Sequence, residues 1–129
     1  MRLIICWCIR RDLLVFPRKR LRPERLEPVI NFFKDADVLF FDAQYAFTES
    51  VELKRDWGHS SSFVGIDLAL DANVRKLVLF HHEPNYGDFQ LASNLRQAQA
   101  YLKNLEPGSS LEIELAYEGM IKNLVPREE

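Results

Sequence analysis

The order of apolar and polar residues along the chain predicts alternating helices and strands. Apolar residues at helical spacing predict a first helix over residues 24–34, with Pro23 at its start. Two short apolar runs, at residues 37–42 and 76–80, are typical of strands that are buried on both faces. A second helix is predicted between these runs, over residues 63–73, because three serines precede it as candidate N-caps.

The last third of the chain continues this alternation. A helix is predicted over residues 88–105, because the helix-breaking pair Pro107-Gly108 follows it. Residues 111–115 alternate between apolar side chains and glutamates, which predicts a half-exposed edge strand. The order strand-helix-strand-helix-strand is that of an α/β fold, in which crossover helices join parallel strands.

Length and composition restrict the class of protein. The chain has 129 residues, 47% of them hydrophobic and 28% charged, which fits one globular domain and excludes a disordered chain. No apolar run approaches the roughly 20 residues that cross a bilayer, and the run at residues 3–9 precedes Arg10 and Arg11, the wrong charge order for a secretory signal. We therefore expect a cytoplasmic protein without a membrane segment, in which Cys6 and Cys8 stay reduced.

The net charge of −2 conceals an asymmetry. Residues 1–25 carry eight Lys or Arg and two acidic residues, a net charge of +6, and the remainder of the chain carries −8. A basic arm of this kind can bind nucleic-acid phosphates, although residues 18–25 lack the interleaved aromatic residues that stack on bases. The change in composition divides the chain into a basic segment, residues 1–22, of doubtful relation to the rest, and a domain over residues 23–129.

Candidate catalytic or metal-binding residues follow the two predicted buried strands. Asp42 ends one strand, and His81 and His82 end the next. The carboxyl ends of parallel strands meet at one edge of a sheet, where ligands gather in such folds. His59, just before the second predicted helix, is a further candidate. A structural role is equally consistent with these positions, namely an Asx-turn for Asp42 and part of a helix cap for His59. Two adjacent histidines at a buried strand end need a partner for each ring nitrogen, which favours metal ligation by His81.

These residue types suit metal-assisted hydrolysis. A histidine can hold a metal ion, a carboxylate can orient a second histidine, and that histidine can protonate a leaving oxygen. A catalytic zinc ion takes three protein ligands, whereas this chain has three histidines in all and no His-x-His-x-Asp-His run. The residues present therefore supply about half of a site.

Three segments together resemble the carboxyl-terminal half of a metallo-β-lactamase-fold hydrolase, an αββα architecture. In chain order they are Asp42-Ala-Gln-Tyr45, Trp57-Gly-His-Ser-Ser61 and Leu77-Val-Leu-Phe-His-His-Glu-Pro84. The resemblance covers about residues 24–124 and is nearest to the phosphodiesterase-like branch, similar to tRNA 3′-processing endonucleases and cyclic-nucleotide phosphodiesterases. It implies a phosphodiester or other ester substrate and, in the intact enzyme, a divalent metal such as zinc or manganese.

The resemblance also assigns roles to individual residues. His81 falls on the last metal-binding histidine of the fold, and His82 would support that ligand or contact substrate. His59 matches a histidine that assists phosphodiester cleavage, and Asp42 matches the acidic residue that pairs with it. Asp12 stands at roughly the position of a metal-bridging aspartate, although its neighbours do not match the family and a simple loop aspartate is the alternative.

The chain departs from the family where its basic excess lies. Residues 1–22 do not match, and the amino-terminal His-x-His-x-Asp-His half is missing, as in a truncated or frameshifted gene product. We expect such a chain to have an incomplete metal site, to be inactive alone and to self-associate through an exposed sheet. The alternatives are a non-enzymatic α/β interaction module, or pseudoenzyme, and nucleic-acid binding through the basic arm.

Overall fold

A computed structural model describes residues 2–6, 23–44 and 60–125. The elements are β1 (Leu3–Cys6), α1 (Pro23–Phe33), β2 (Val38–Asp42), α2 (Ser62–Asp71), β3 (Lys76–Phe80), α3 (Asp88–Leu105) and β4 (Glu112–Leu115). The α/β class is confirmed, and every predicted element is present with its ends within two residues of the prediction. The proposed division at residue 22 remains a prediction, because residues 7–22 lie outside the described residues.

The strands form one parallel sheet in the order β1-β2-β3-β4. The sequence pattern predicted three of these strands, and β1 is an addition at the edge next to β2, with Ile4 opposite Leu39. Strands that are neighbours in a parallel pair require a crossover, and α1, α2 and α3 lie within the three crossovers. No helix among the described residues is long and apolar enough to span a membrane.

One face of the sheet carries the hydrophobic core. Side chains alternate between the faces of a strand, so every second residue of each strand points towards the helices. The buried cluster on that face comprises Ile4, Leu39, Phe41, Leu77, Leu79 and Ile113 of the strands with Val64, Ile66, Leu68 and Ala98 of the helices. On the opposite face Val38 and Val78 are buried, whereas Leu3 and Ile5 are 51% and 66% exposed. The predicted self-association through this face remains a prediction.

Helix α2 lies directly on β2 because Gly65 has no side chain. A Cβ atom built on Gly65 would stand 2.7 Å from Cδ1 of Phe41, closer than carbon atoms approach in proteins. Phe41 is 1% exposed and belongs to the core cluster. The glycine therefore fixes the separation between this helix and the sheet.

Hydrogen bonds of Arg2 connect β1 to the carboxyl end of α1. The guanidinium of Arg2 donates hydrogen bonds to the carbonyl oxygens of Lys34, at 2.6 Å, and Phe32, at 2.7 Å. The backbone N–H of Arg2 donates to Oδ2 of Asp37 at 2.8 Å. A cation at the carboxyl end of a helix satisfies carbonyl groups that have no partner within the helix.

Charged side chains cover the start of β3 and the length of β4. Lys76 Nζ lies 3.0 Å from Glu112 Oε2 and 3.2 Å from Glu114 Oε1, and Lys122 also contacts Glu114. The hydrogen bond that Lys76 donates to Glu112 raises the pKa of Lys76, and the hydrogen bond that Lys122 donates to Glu114 lowers the pKa of Glu114. The network holds the residues after β4 against the sheet.

Candidate active site at the strand ends

Asp42 and His81 meet at the carboxyl edge of the sheet. Asp42 is the last residue of β2 and pairs in register with Phe80, so His81 follows directly beside it. His81 Nδ1 lies 3.3 Å from Asp42 Oδ1, and the Asp42 side chain is 1% exposed. His81 has a φ of 62°, in the left-handed region that non-glycine residues adopt rarely and that is common at functional sites.

The contact determines which nitrogen of His81 faces outward. A carboxylate oxygen accepts hydrogen bonds, so the tautomer of His81 with a proton on Nδ1 donates that proton to Asp42. The His81 side chain is 31% exposed, which leaves the ring accessible. A carboxylate behind an imidazole is the arrangement that orients histidine ligands of metal ions.

His82 has a different partner. Its Nε2 lies 2.9 Å from the carbonyl oxygen of Ala116, the residue after β4. A carbonyl only accepts, so this nitrogen is a donor, and the histidine ties the end of β3 to the end of β4. The predicted role of His82 in supporting the metal ligand or contacting substrate remains a prediction.

A small cavity lies between the strand ends and the starts of α2 and α3. Gln44, Phe63, His82 and Tyr86 are among the residues that line it, and its volume of about 20 Å³ suits one water molecule. Gln44 Nε2 donates to Glu83 Oε2 at 3.3 Å, whereas its buried Oε1 has no hydrogen-bond partner within the described residues. The cavity shows that the first turn of α2 adjoins the ends of β2 and β3.

The serines before α2 do not make the capping hydrogen bonds that the sequence predicted. Ser61 is the N-cap residue, with extended φ and ψ of −125° and 163°, but its hydroxyl makes no capping hydrogen bond. The hydroxyls of Ser60 and Ser61 are buried and have no hydrogen-bond partner in the described part of the chain. Serine preference at N-caps identified the start of the helix but not the bonding of its hydroxyl.

Two of the predicted site residues lie outside the described residues, namely Asp12 and His59. The predicted pairing of Asp42 with His59 therefore remains a prediction. Among the described residues, Asp42 contacts His81. Among residues 2–6, 23–44 and 60–125, no three His, Cys, Asp or Glu side chains converge to hold a metal ion. Sequence analysis missed Gln44, although it lies within the Asp42–Tyr45 segment.

Sequence comparison relates the chain to ribonuclease Z proteins. It is 44% identical to ribonuclease Z of Sulfurisphaera tokodaii over 62 residues, which cover 48% of this chain and 20% of that protein. It is 35% identical to ribonuclease Z of Synechocystis sp. over 81 residues, which cover 60% of this chain and 24% of that protein. The chain thus spans about a fifth to a quarter of the length of these curated relatives. No family model matches it.

Structural comparison addresses the fold. The metallo-beta-lactamase fold protein YhfI from Bacillus subtilis superimposes with a TM-score of 0.53 and 20% identity, covering 73% of this chain and 34% of that one. At this identity the superposition establishes the fold alone. The resemblance found in the sequence is confirmed by both comparisons. The chain therefore contains part of a metallo-β-lactamase fold, and its sequence resembles that of ribonuclease Z proteins.

Proposed function

We propose that this chain is a carboxyl-terminal portion of a metal-dependent hydrolase that cleaves phosphodiester bonds, with RNA as the substrate class. The contact between His81 and Asp42 at the strand ends carries the proposal, because it presents an oriented imidazole where ligands bind in α/β folds. Similarity to ribonuclease Z proteins supports the reaction and the substrate class.

A divalent metal fits His81 as one ligand. Because Nδ1 of His81 faces Asp42, the metal would be held by Nε2, and imidazole suits zinc, with manganese as the alternative. Asp12 is proposed as a second ligand, and the remaining ligands would come from a His-x-His-x-Asp-His segment, which this sequence does not contain. When bound, the metal supplies a Lewis acid for the phosphoryl oxygens and acidifies a water molecule.

Three other side chains of this chain would then have separate roles in the reaction. Asp42 orients the His81 ring from a buried position, so that its other ring nitrogen can face the metal. His59 is proposed to donate a proton to the leaving oxygen, a task that suits an imidazole at neutral pH. His82 holds the end of β4 beside the site through the Ala116 carbonyl.

Complementation tests the proposal. The chain is mixed with a ribonuclease Z fragment that carries the His-x-His-x-Asp-His segment, and hydrolysis of bis-p-nitrophenyl phosphate is measured with zinc or manganese. We expect no hydrolysis by either part alone and a rate from the mixture that His81→Ala reduces at least about a hundredfold. The control is Asn85→Ala, an exposed residue of the same loop. An unchanged rate in His81→Ala would refute the metal-ligand role.

A non-enzymatic interaction module is the second candidate function. The exposed Leu3 and Ile5 side chains favour it, because they leave apolar surface on the sheet face away from the helices. Tight one-to-one association with a protein that lacks the His-x-His-x-Asp-His segment, without any hydrolysis, would support this alternative over the enzyme.

A further inference from the structure

Strand β4 lies at one edge of the described sheet and turns half of its backbone groups outward. In a parallel pair, alternate residues of a strand form hydrogen bonds with the neighbouring strand. The N–H of Glu112 donates to the carbonyl oxygen of Arg75 at 3.1 Å, and the N–H of Ala116 also donates to a carbonyl of β3. The N–H and C=O groups of Ile113 and Leu115 therefore point away from β3, towards the side where the described sheet ends.

The sequence of β4 is symmetric about Ile113. Residues 111–115 read Leu-Glu-Ile-Glu-Leu in both directions. An antiparallel copy of the strand, related by a two-fold axis at Ile113, would place identical residue types opposite one another at every position. Such self-complementarity is what an isologous interface requires, because the same surface then serves both copies.

The outward backbone groups have the alternation that this pairing needs. Ile113 would face Ile113 of the second copy as a hydrogen-bonded pair, in which the two residues exchange two N–H···O=C bonds. The N–H of Leu115 would donate to the carbonyl oxygen of Leu111 of the second copy, and this bond occurs twice. The N–H of Leu111 already donates to Oγ of Ser109 at 3.1 Å, so we count four bonds between the copies.

An open groove runs beside this edge, between β4 and α3. Its volume is about 410 Å³, and Leu102, Leu111 and Ile113 are among the residues that line it. The groove shows that α3 leaves space along the strand. A second copy of β4 would turn its own leucines and isoleucine to this side of the sheet, where cross-strand apolar pairs stabilise a sheet.

Charges on the other side of the strand balance one another. Glu112 would lie opposite Glu114 of the second copy, and like charges at such positions repel. Lys76 Nζ lies 3.0 Å from Glu112 Oε2 and 3.2 Å from Glu114 Oε1. Lys122 also contacts Glu114. Each copy thus brings two lysines for its two glutamates, which supplies the charge complementarity that a row of glutamates alone would lack.

We propose that two copies of this chain pair through β4, antiparallel and about a two-fold axis at Ile113, and join their four-stranded sheets into one sheet of eight strands. The pairing requires neither metal nor substrate, so it does not depend on the proposed function. It also differs from self-association through the sheet face that carries Leu3 and Ile5. Because the two-fold pairing uses the β4 edge of both copies, association stops at the dimer.

Amide hydrogen exchange of the full 129-residue chain tests the interface. Sedimentation equilibrium gives the dissociation constant, and exchange is then measured by nuclear magnetic resonance below and above that concentration. We expect exchange at Ile113 and Leu115 to slow as the concentration rises, because their N–H groups become bonded between copies. Exchange at Glu112 and Glu114 should change little, because their N–H groups face β3 in monomer and dimer alike.

A proline variant tests the same bonds. Leu115→Pro removes an N–H that faces away from β3, so the ladder between β3 and β4 is retained, as for proline in natural edge strands. The control is Leu115→Ala, which also shortens the side chain but keeps the N–H. Relative to this control, the dissociation constant of Leu115→Pro should rise about thirtyfold, for two hydrogen bonds lost per dimer. Ile5→Gln, on the sheet face, should leave the dissociation constant unchanged.

Several results would overturn the proposal. A chain that stays monomeric up to its solubility limit, assemblies larger than a dimer, or equal dissociation constants for Leu115→Pro and Leu115→Ala would each do so. A dimer lost in Ile5→Gln but kept in Leu115→Pro would place the interface on the sheet face. Protection of Ile113 and Leu115 only when a different protein is added would assign the edge to another partner. The exchange experiment uses the parent chain, so it decides the question even where Leu115→Pro does not fold.

Discussion

Replacing Gly65 by alanine tests whether α2 and β2 are as close as the structure places them. The added Cβ would stand 2.7 Å from Cδ1 of Phe41 and 3.2 Å from both Cγ and Cε1, so three atoms of one ring oppose it. The ring is a rigid plane and is 1% exposed, so it cannot rotate into solvent. Either α2 must move away from the sheet or the core must repack around Phe41.

Two opposing effects determine how much Gly65→Ala changes the free energy of unfolding. Alanine is favoured over glycine inside a helix by about 1 kcal/mol, and overpacking of a close-packed core costs about 1–3 kcal/mol. Contact with three ring atoms places Gly65→Ala at the upper end of that cost. We therefore expect the free energy of unfolding to fall by about 2 kcal/mol.

Urea denaturation followed by circular dichroism measures this change as a shift in the midpoint at constant slope. Gly108→Ala is the matched control, because nothing lies within 4 Å of its added Cβ, and we expect a change of less than about 0.5 kcal/mol. The double variant Gly65→Ala, Phe41→Leu should recover part of the loss, since the two sites are in contact. Stability of Gly65→Ala equal to or above that of the parent chain would refute the described packing.

Two further predictions concern polar contacts. The hydrogen bond with Lys122 lowers the pKa of Glu114, so the ionised carboxylate adds to the free energy of unfolding above its unfolded pKa of about 4.5. This stabilisation is lost as the pH falls through the lower folded pKa. Glu114→Gln should therefore flatten the pH dependence of the free energy of unfolding, measured with urea, below about pH 4.5. Tyr101 donates a hydrogen bond of 2.8 Å to the buried Asp67, so Tyr101→Phe should lower the free energy of unfolding by about 1–3 kcal/mol, whereas Tyr117→Phe, at an exposed position, should not change it measurably.

Elements with strong local signals were predictable from the sequence. The bounds of β3 and α3 agree with the prediction at both ends, because an apolar run defines the strand and Pro107-Gly108 terminates the helix. Strand β1 was not predicted, because no turn residue within the apolar run at residues 3–9 sets the end of a strand, and its partner lies more than thirty residues away. Parallel pairing is a non-local property that short patterns do not encode.

The candidate site was predictable as a location but not as a set of contacts. Strand ends in an α/β fold placed Asp42 and His81 at one edge. His81 makes this contact from a left-handed backbone conformation, which the identity of that residue does not indicate. The unsatisfied hydroxyls of Ser60 and Ser61 contradict the usual role of serine before a helix, and no pattern in the sequence indicates them.

Arg2 helps to fix the register of β1 against β2. Sliding β1 by one residue along β2 would exchange Ile4, which is buried, for Leu3 or Ile5 on the core face. That slip would also break the hydrogen bond of Arg2 to Asp37 and both bonds to the carbonyls that end α1. A short edge strand, which hydrophobic burial alone would align weakly, is thus held in one alignment by a side chain outside the strand itself.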